Sequence, residues 1–178
     1  TAGAPVGVDD PPVGVPAAEL ARSGFDITAM LVIVSEALRD LHAVRPSTVV
    51  TEAFDSRPGV LVERARHRVQ DGSIDPACFD PPYQRYSPAQ LLDLIEQSRP
   101  AALDADGLTL VHGGARLDRI WLDDGRVSGW SDLEGAGVGD PYRDLATLAI
   151  DLAAQVTPEA LGPFIDAYGL DHPDVLRL

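Results

Sequence analysis

Acidic residues crowd one stretch of this 178-residue chain, Leu108 to Ala146, where they meet strand and loop signals more closely than anywhere else. Asp118, Asp132, Glu134, Asp140 and Asp144 bring carboxylates there, and clustered carboxylates favour cationic partners. Two of them also have local work by position. Asp140 stands as an N-cap ahead of Pro141, and Asp144 is a first-turn acid favoured by the helix dipole; Asp140 is additionally placed to touch a cationic ligand. The run Gly113-Gly114-Ala115 lacks the Gly-Lys-Ser/Thr ending of a P-loop, so it is no phosphate cradle by itself. Lysine and asparagine are missing from the whole chain. Four scattered histidines and one cysteine support neither a His/Cys metal site nor a Ser/His/Asp triad.

The elements that hold these residues follow from periodicity. From Leu108 the apolar period is two, through LTLVH and RIWLDDGRVSGW, and Asp124-Gly125 between the runs is a hairpin-turn signal, so three short strands are expected. Upstream, Thr1 to Pro16 is rich in Gly, Pro, Ala and Val and reads as a linker or edge segment. A short helix is expected at Ala17 to Arg22. Asp26 then caps a longer one, Ile27 to His42, whose Ile27, Met30, Leu31, Val34, Leu38 and Leu41 keep the spacing of a buried face. His42 closes it and reads as structural, placed to cap carbonyls.

Arg57 to Gln70 is expected to be a basic helix with Val60, Leu61 and Ala65 inward and its arginines balancing nearby acids. Asp75 to Tyr86 reads as loop, after which Ser87 and Pro88 open a helix bearing Leu91, Leu92, Leu94 and Ile95, stopped by Arg99-Pro100. Beyond the strands, Asp140-Pro141 begins a helix with Leu145, Leu148, Ala149 and Leu152 inward. Thr157-Pro158-Glu159 begins another that ends at Gly169, and the final DHPDVLRL looks like a further helix start. Trp121 and Trp130 are expected to pack against helices. The fold class is α+β, mainly α, with a small β-hairpin region between helical blocks.

Composition bounds the setting. The length suits one domain or one large lobe with a real core. With 28 acidic against 14 basic residues the net charge is -14, which argues against binding a nucleic-acid backbone. Mean hydropathy is -0.01 and no apolar run approaches the roughly 20 residues of a bilayer span, so no membrane insertion is expected. A lone cysteine, Cys78, and no visible signal peptide fit a cytoplasmic home.

A strand ending in His112-Gly113, a turn, a hairpin and an acid just after it form the layout of a kinase catalytic loop followed by its metal-binding aspartate. More specifically, the chain resembles the C-terminal lobe of the aminoglycoside phosphotransferase family, relatives of choline kinases and eukaryotic-like protein kinases. The family's catalytic loop reads H-G-D-x-x-x-x-N, its metal motif I-D-W-E or a close variant, and its next helix G-D-P-x-x-D-L-A. Here stand His112-Gly113-Gly114, Arg119, Asp132-Leu133-Glu134, and Gly139-Asp140-Pro141 through Asp144-Leu145-Ala146. PVGVPAAEL resembles the family's post-hinge segment, ALRDLHAV its first long helix and FIDAYGL its late helix.

This resemblance implies that residues 1–24 are a post-hinge linker and 25–178 a kinase-like helical C-lobe, with the catalytic-loop hairpin at 108–132. The N-terminal β lobe, with its nucleotide-pairing lysine, is largely absent from the chain, which is expected to be a fragment of a longer protein or a truncated product. The implied activity is transfer of the γ-phosphoryl group of ATP or GTP, with Mg²⁺, to a hydroxyl of a cationic small molecule such as an aminoglycoside, hence antibiotic resistance. Within it, His112 orders the loop, and Asp132 with Glu134 would hold the metal.

Two positions depart from the pattern. Gly114 stands where the family has its catalytic aspartate, a group whose general-base help is worth about 10²- to 10⁴-fold. Arg119 stands where an asparagine should help hold magnesium, and it offers no oxygen. Its guanidinium is expected beside Asp132, a fixed charge in place of the metal. Asp118, four positions after Gly114, is the one substitute candidate for the lost base. The expected activity is therefore impaired. A reading from a different class is a pseudoenzyme, a pseudokinase whose acidic cleft binds a cationic ligand or a protein partner. An apolar face where the N-lobe would dock is expected to support a homodimer.

Overall fold

The computed structural model describes residues 12–45, 54–98 and 107–174. Its first helices are α1 (Ala17–Arg22) and α2 (Ile27–Ala43), where expected. The Asp26 carboxylate accepts from the N–H of Thr28 at 2.9 Å and of Ala29 at 3.2 Å, filling donors that a helix start leaves open. Met30, Leu31, Val34 and Leu38 recur at the helical period and are all buried, each burial worth about 1.5–3 kcal/mol. They meet Leu145, Leu148 and Leu152 and then Phe164 and Ile165 in one core.

Those partners come from the last two helices. After α3 (Pro58–Gln70) and α4 (Pro88–Ser98), α5 (Tyr142–Gln155) carries the three leucines and α6 (Leu161–Tyr168) the aromatic anchor. Ser35 on α2 ties the packing together: its buried hydroxyl donates to the carbonyl of Phe164 at 3.2 Å. α6 stops at Gly169, whose φ of 89° lies in the left-handed region.

Strands supply the other half. β4 (Ile120–Asp123) and β5 (Arg126–Trp130) form the expected hairpin, and both turn residues take positive φ, 47° at Asp124 and 73° at Gly125, the signature of a two-residue type I′ turn. β1 (Val15–Pro16) adds an antiparallel edge to β4. A second small sheet places β6 (Gly137–Gly139) between β3 (Thr109–Val111), antiparallel to it, and β2 (Asp55–Ser56), parallel to it. β1 falls at the end of the segment read as linker or edge, whereas β2 and β6 were not expected; at two or three residues each they are too short to show a period.

Several expectations need correction. α3 buries Val62, while Val60, Leu61 and Ala65 are only half-buried. Its Arg66 does pair with acids, Glu63 and Glu96. α4 is capped as expected, Ser87 and Gln90 exchanging bonds between side chain and backbone at 2.9 and 3.2 Å. Its apolar face is not core, however: Leu94 and Ile95 are 44% and 48% exposed and, with Leu91, Phe79 and Tyr83, line an open apolar groove. His42 does not cap carbonyls; the Thr109 hydroxyl lies against the carbonyl oxygens of His42 and Val44 instead. Of the final DHPDVLRL, Asp171 to Asp174 are not helical and the remainder lies outside the described residues. The Arg99-Pro100 stop and most of the Thr1 to Pro16 segment lie outside the described residues. Among the described residues no helix is long and apolar enough to cross a membrane.

Candidate active site

The loop from His112 to Arg119 is held from behind by two carboxylates on α5. Asp144, fully buried, accepts the backbone N–H of His112 at 2.7 Å and of Gly113 at 2.8 Å, then those of Gly114 at 3.0 Å and Ala115 at 3.4 Å. Asp151, on the same face seven positions on, accepts the N–H of Leu117 at 2.8 Å and pairs with Arg116 at 3.2 Å. Between them they satisfy five loop donors that would otherwise be buried and unpaired. A first-turn helix acid was the sequence reading of Asp144; the structure makes it the loop's anchor.

His42 completes that anchor. Its Nε2 lies 3.2 Å from Asp144 Oδ2 and its Nδ1 2.8 Å from the Tyr168 hydroxyl. A carboxylate can only accept, so Nε2 carries the proton and Nδ1 accepts from Tyr168. Burial, with Asp144 nearby, pushes the Tyr168 hydroxyl up to about 12, which keeps it a donor. Burial pushes the Asp144 carboxyl up, yet the His42 bond and the backbone donors outweigh this and hold it below the ordinary carboxylate range.

His112 is buried too. Its Nε2 donates to the carbonyl of Ser131 at 2.9 Å and its ring lies 5.5 Å from that of Trp130, so it fastens the loop to the hairpin. Burial pushes this imidazole below its ordinary value, hence it is neutral, and its Nδ1 has no partner among the described residues. Trp121 donates its indole N–H to Ser131 Oγ at 3.3 Å.

In front of the loop is a cleft of about 490 Å³ lined by Gly113, Arg119, Asp132, Glu134, Gly135 and Arg143. Asp132 enters it from a left-handed backbone conformation, φ 56° and ψ 53°, an uncommon state for a non-glycine residue that recurs at functional sites. Arg119 Nε is 3.2 Å from Asp132 Oδ2, the ion pair anticipated from the sequence, and Arg119 Nη1 donates to the carbonyl of Gly114 at 3.2 Å. Glu134 is exposed at the rim.

Asp118 does not line the cleft; it is exposed and turned to Arg116 at 3.5 Å. Asp140 is buried and its Oδ1 accepts the N–H of Tyr142 at 2.9 Å, the local helix-start role expected of it. Arg143, at the cleft wall, was not singled out from the sequence at all.

Arg119 competes with magnesium for Asp132 in this cleft. Asp132 and Glu134 both border the cleft, and the carboxylate best placed for the ion, Asp132, is already held by a guanidinium. A hard cation needs oxygen donors that position 119 does not offer.

Arg119 also fills the space at position 114. A Cβ built on Gly114 would lie 2.9 Å from Arg119 Nη1, the far end of a flexible side chain. Gly114→Asp alone is therefore expected to fold, with a stability change of about 1 kcal/mol or less, because Arg119 turns from Asp132 to the new carboxylate. A crystal structure of the variant checks this; an Arg119–Asp132 pair left intact would contradict it.

Fold and site together define a kinase-like C-lobe: a loop hung on a buried helical aspartate, a hairpin, and an acid just after it at the mouth of a cleft. Residues 14–178 match the phosphotransferase enzyme family, and the chain belongs to it. An aminoglycoside 3'-phosphotransferase from Escherichia coli is 27% identical over 160 residues, covering 90% of this chain and 55% of that protein. A solved aminoglycoside-3'-phosphotransferase of type VIII superposes with a TM-score of 0.76 at 26% identity, over 94% of this chain and 63% of the other. Aminoglycoside phosphotransferase APH(3'')-Id from Streptomyces rimosus gives 0.76 at 25% identity, over 92% and 63%, and a second structure of that enzyme holds ADP and streptomycin. The chain spans about half the length of the curated relatives it matches.

Proposed function

We propose that this chain is an aminoglycoside phosphotransferase-like C-lobe in which transfer of the γ-phosphoryl group of ATP or GTP to a hydroxyl of a cationic small molecule is impaired. One observation carries the reading: a single side chain, Arg119, takes both vacated positions, with Nη1 against Gly114 and Nε on Asp132. Without a carboxylate at 114 the acceptor hydroxyl has neither a base nor an aligning partner, a loss of about 10²- to 10⁴-fold. With the guanidinium on Asp132, no metal-bound clamp forms on the transferring group.

The aminoglycoside class rests on the relatives and on the acidic balance of the chain. The same features support a second reading, a non-catalytic module that binds a cationic ligand or a protein partner. Cytoplasmic location and a homodimer through the face the family's N-lobe covers belong to the proposal; a monomeric light-scattering mass would refute the dimer.

The test is turnover of ATP and of GTP, with Mg²⁺, against kanamycin-type acceptors. The unmodified chain is expected to give no transfer above the protein-free blank. Turnover above that blank sinks the impaired reading. Nucleotide binding without turnover, together with saturable binding of the acceptor, favours the module.

A further inference from the structure

Arg143 sits oddly for a protein of net charge -14. It projects from the first turn of α5 over the two glycines of the cleft floor: Cβ atoms built on Gly113 and Gly135 would lie 2.9 Å from its Nη1 and 3.1 Å from its Nη2. Only residues without side chains let the guanidinium lie there. A guanidinium has five N–H donors. Among the described residues this one makes a single hydrogen bond, Nη1 to the Gly135 carbonyl at 3.2 Å, and no ion pair. Burial pushes it below its ordinary value, with Asp144 partly opposing. A half-buried cation with most of its donors unused favours an anion beside it.

Two more arginines converge on the spot. Arg119 commits Nε to Asp132 and Nη1 to Gly114, which leaves Nη2 at the same cleft. Arg64, from α3, lines an adjoining cleft of about 330 Å³ that shares Arg143, Glu134 and Gly135 with the first. Against them stand Asp132, already neutralised by Arg119, Asp55 in the adjoining cleft, paired with Arg57 at 2.5 Å, and Glu134, exposed at the rim with no hydrogen bond or ion pair among the described residues. The inner wall is thus cationic and the rim acidic. Paired arginine forks match the oxygens of a phosphoryl group, each able to give two parallel bonds.

We propose that this cleft binds a phosphate group, as a monoester or the end of a polyphosphate, directly through Arg143 and Arg119 and without a divalent cation. The inference rests on the reading above, that Arg119 occupies the metal position, and it goes further in naming what the reworked site holds. Arginine replaces the metal as the counter-charge of the phosphate.

The test is calorimetric titration of the whole chain with inorganic phosphate and, separately, with ADP, each in EDTA and in Mg²⁺. Saturable binding in EDTA, no tighter with Mg²⁺ and weaker at higher salt, is expected. Tighter ADP than phosphate identifies a nucleotide as the source, equal affinity the phosphate group alone.

Arg143→Gln is expected to weaken binding by about tenfold or more, the worth of a hydrogen bond to a charged group, with Arg143→Lys between the two. Glu134→Gln, which removes a repelling rim charge, is expected to tighten it by up to about fivefold. Arg126→Gln, on the far hairpin strand, should change nothing, and a thermal melt confirms that each variant is folded. Binding that needs Mg²⁺, binding unchanged in folded Arg143→Gln, or no saturable binding of either probe overturns the proposal. Turnover alongside EDTA-resistant phosphate binding would remove the impaired-enzyme reading and keep this one; Mg²⁺-dependent ADP binding without turnover would do the reverse.

Discussion

Asp144→Ala is expected to cost about 3–5 kcal/mol, because several donors lose one shared buried acceptor at once, and to lower the melting temperature by roughly 6–20 °C. The carboxylate it removes is fully buried and accepts four backbone N–H groups of the loop besides the bond to His42. Each donor left without an acceptor in the interior carries a penalty of its own, about 1–3 kcal/mol before relaxation. Asp144→Asn keeps the shape but turns one acceptor oxygen into a donor aimed at donors, so it should destabilise in the same direction. Asp118→Ala is the contrast, an exposed loop acid whose removal should leave the melt unchanged.

The pH dependence has a definite sign. The Asp144 carboxyl is held below its ordinary value of 3.8, so its contribution to stability is fully present above that value and is lost as pH falls through the lower, folded-state one. The gap in melting temperature between the natural chain and Asp144→Asn should therefore be constant from neutral pH down to about 5 and close below 3.8. A gap that stays open at the acid end would mean that shape, not charge, holds the loop.

This anchor was the part of the site least legible in the sequence. Local rules explain an acid in a first helical turn without any tertiary partner, and Asp144 satisfied them. Its donors lie 29 to 32 residues upstream, and His42 lies 102 residues away, beyond any local pattern. A signal was nonetheless present at Asp151, a charged residue among Leu148, Ala149 and Leu152 on a face that otherwise reads as buried. A carboxylate there has to find donors inside, and Asp144 shares its face. Arg143 was missed for a different reason: it occupies an unspecified position of the G-D-P-x-x-D-L-A pattern.

What was legible depended on chemistry close in sequence. The face of α2, the Asp26 cap and the Asp124-Gly125 turn need only neighbours a few residues off, and all three are found. The Arg119–Asp132 pair was legible because two substitutions in one motif point at the same space. α4 is different: the spacing predicted an apolar face, but among the described residues Leu91 and Leu92 are only half-buried and Leu94 and Ile95 stay exposed.

Gly113→Ala is expected to be the most damaging single methyl group in the loop, at about 2–6 kcal/mol, from left-handed strain and overpacking together. Gly113 has φ 81°, and a Cβ there would lie 1.9 Å from the Gly135 carbonyl oxygen and 2.4 Å from its carbon. The obstruction is backbone, and it is pinned on both sides. Gly135 leads into β6, paired to β2 and β3, while Gly113 is tethered to Asp144 through its own N–H. Neither can retreat without breaking bonds that bury the loop's polar groups. Gly72 and Gly125 separate the two causes, since both take positive φ, 71° and 73°, with open space where a Cβ would go. Alanine at either should cost only the conformational strain, about 1–2 kcal/mol. Urea unfolding of the three variants measures the difference. A Gly113→Ala loss no larger than the Gly72 loss would show that the close approach of residues 113 and 135, on which the seat of Arg143 depends, is not a fixed feature of the cleft.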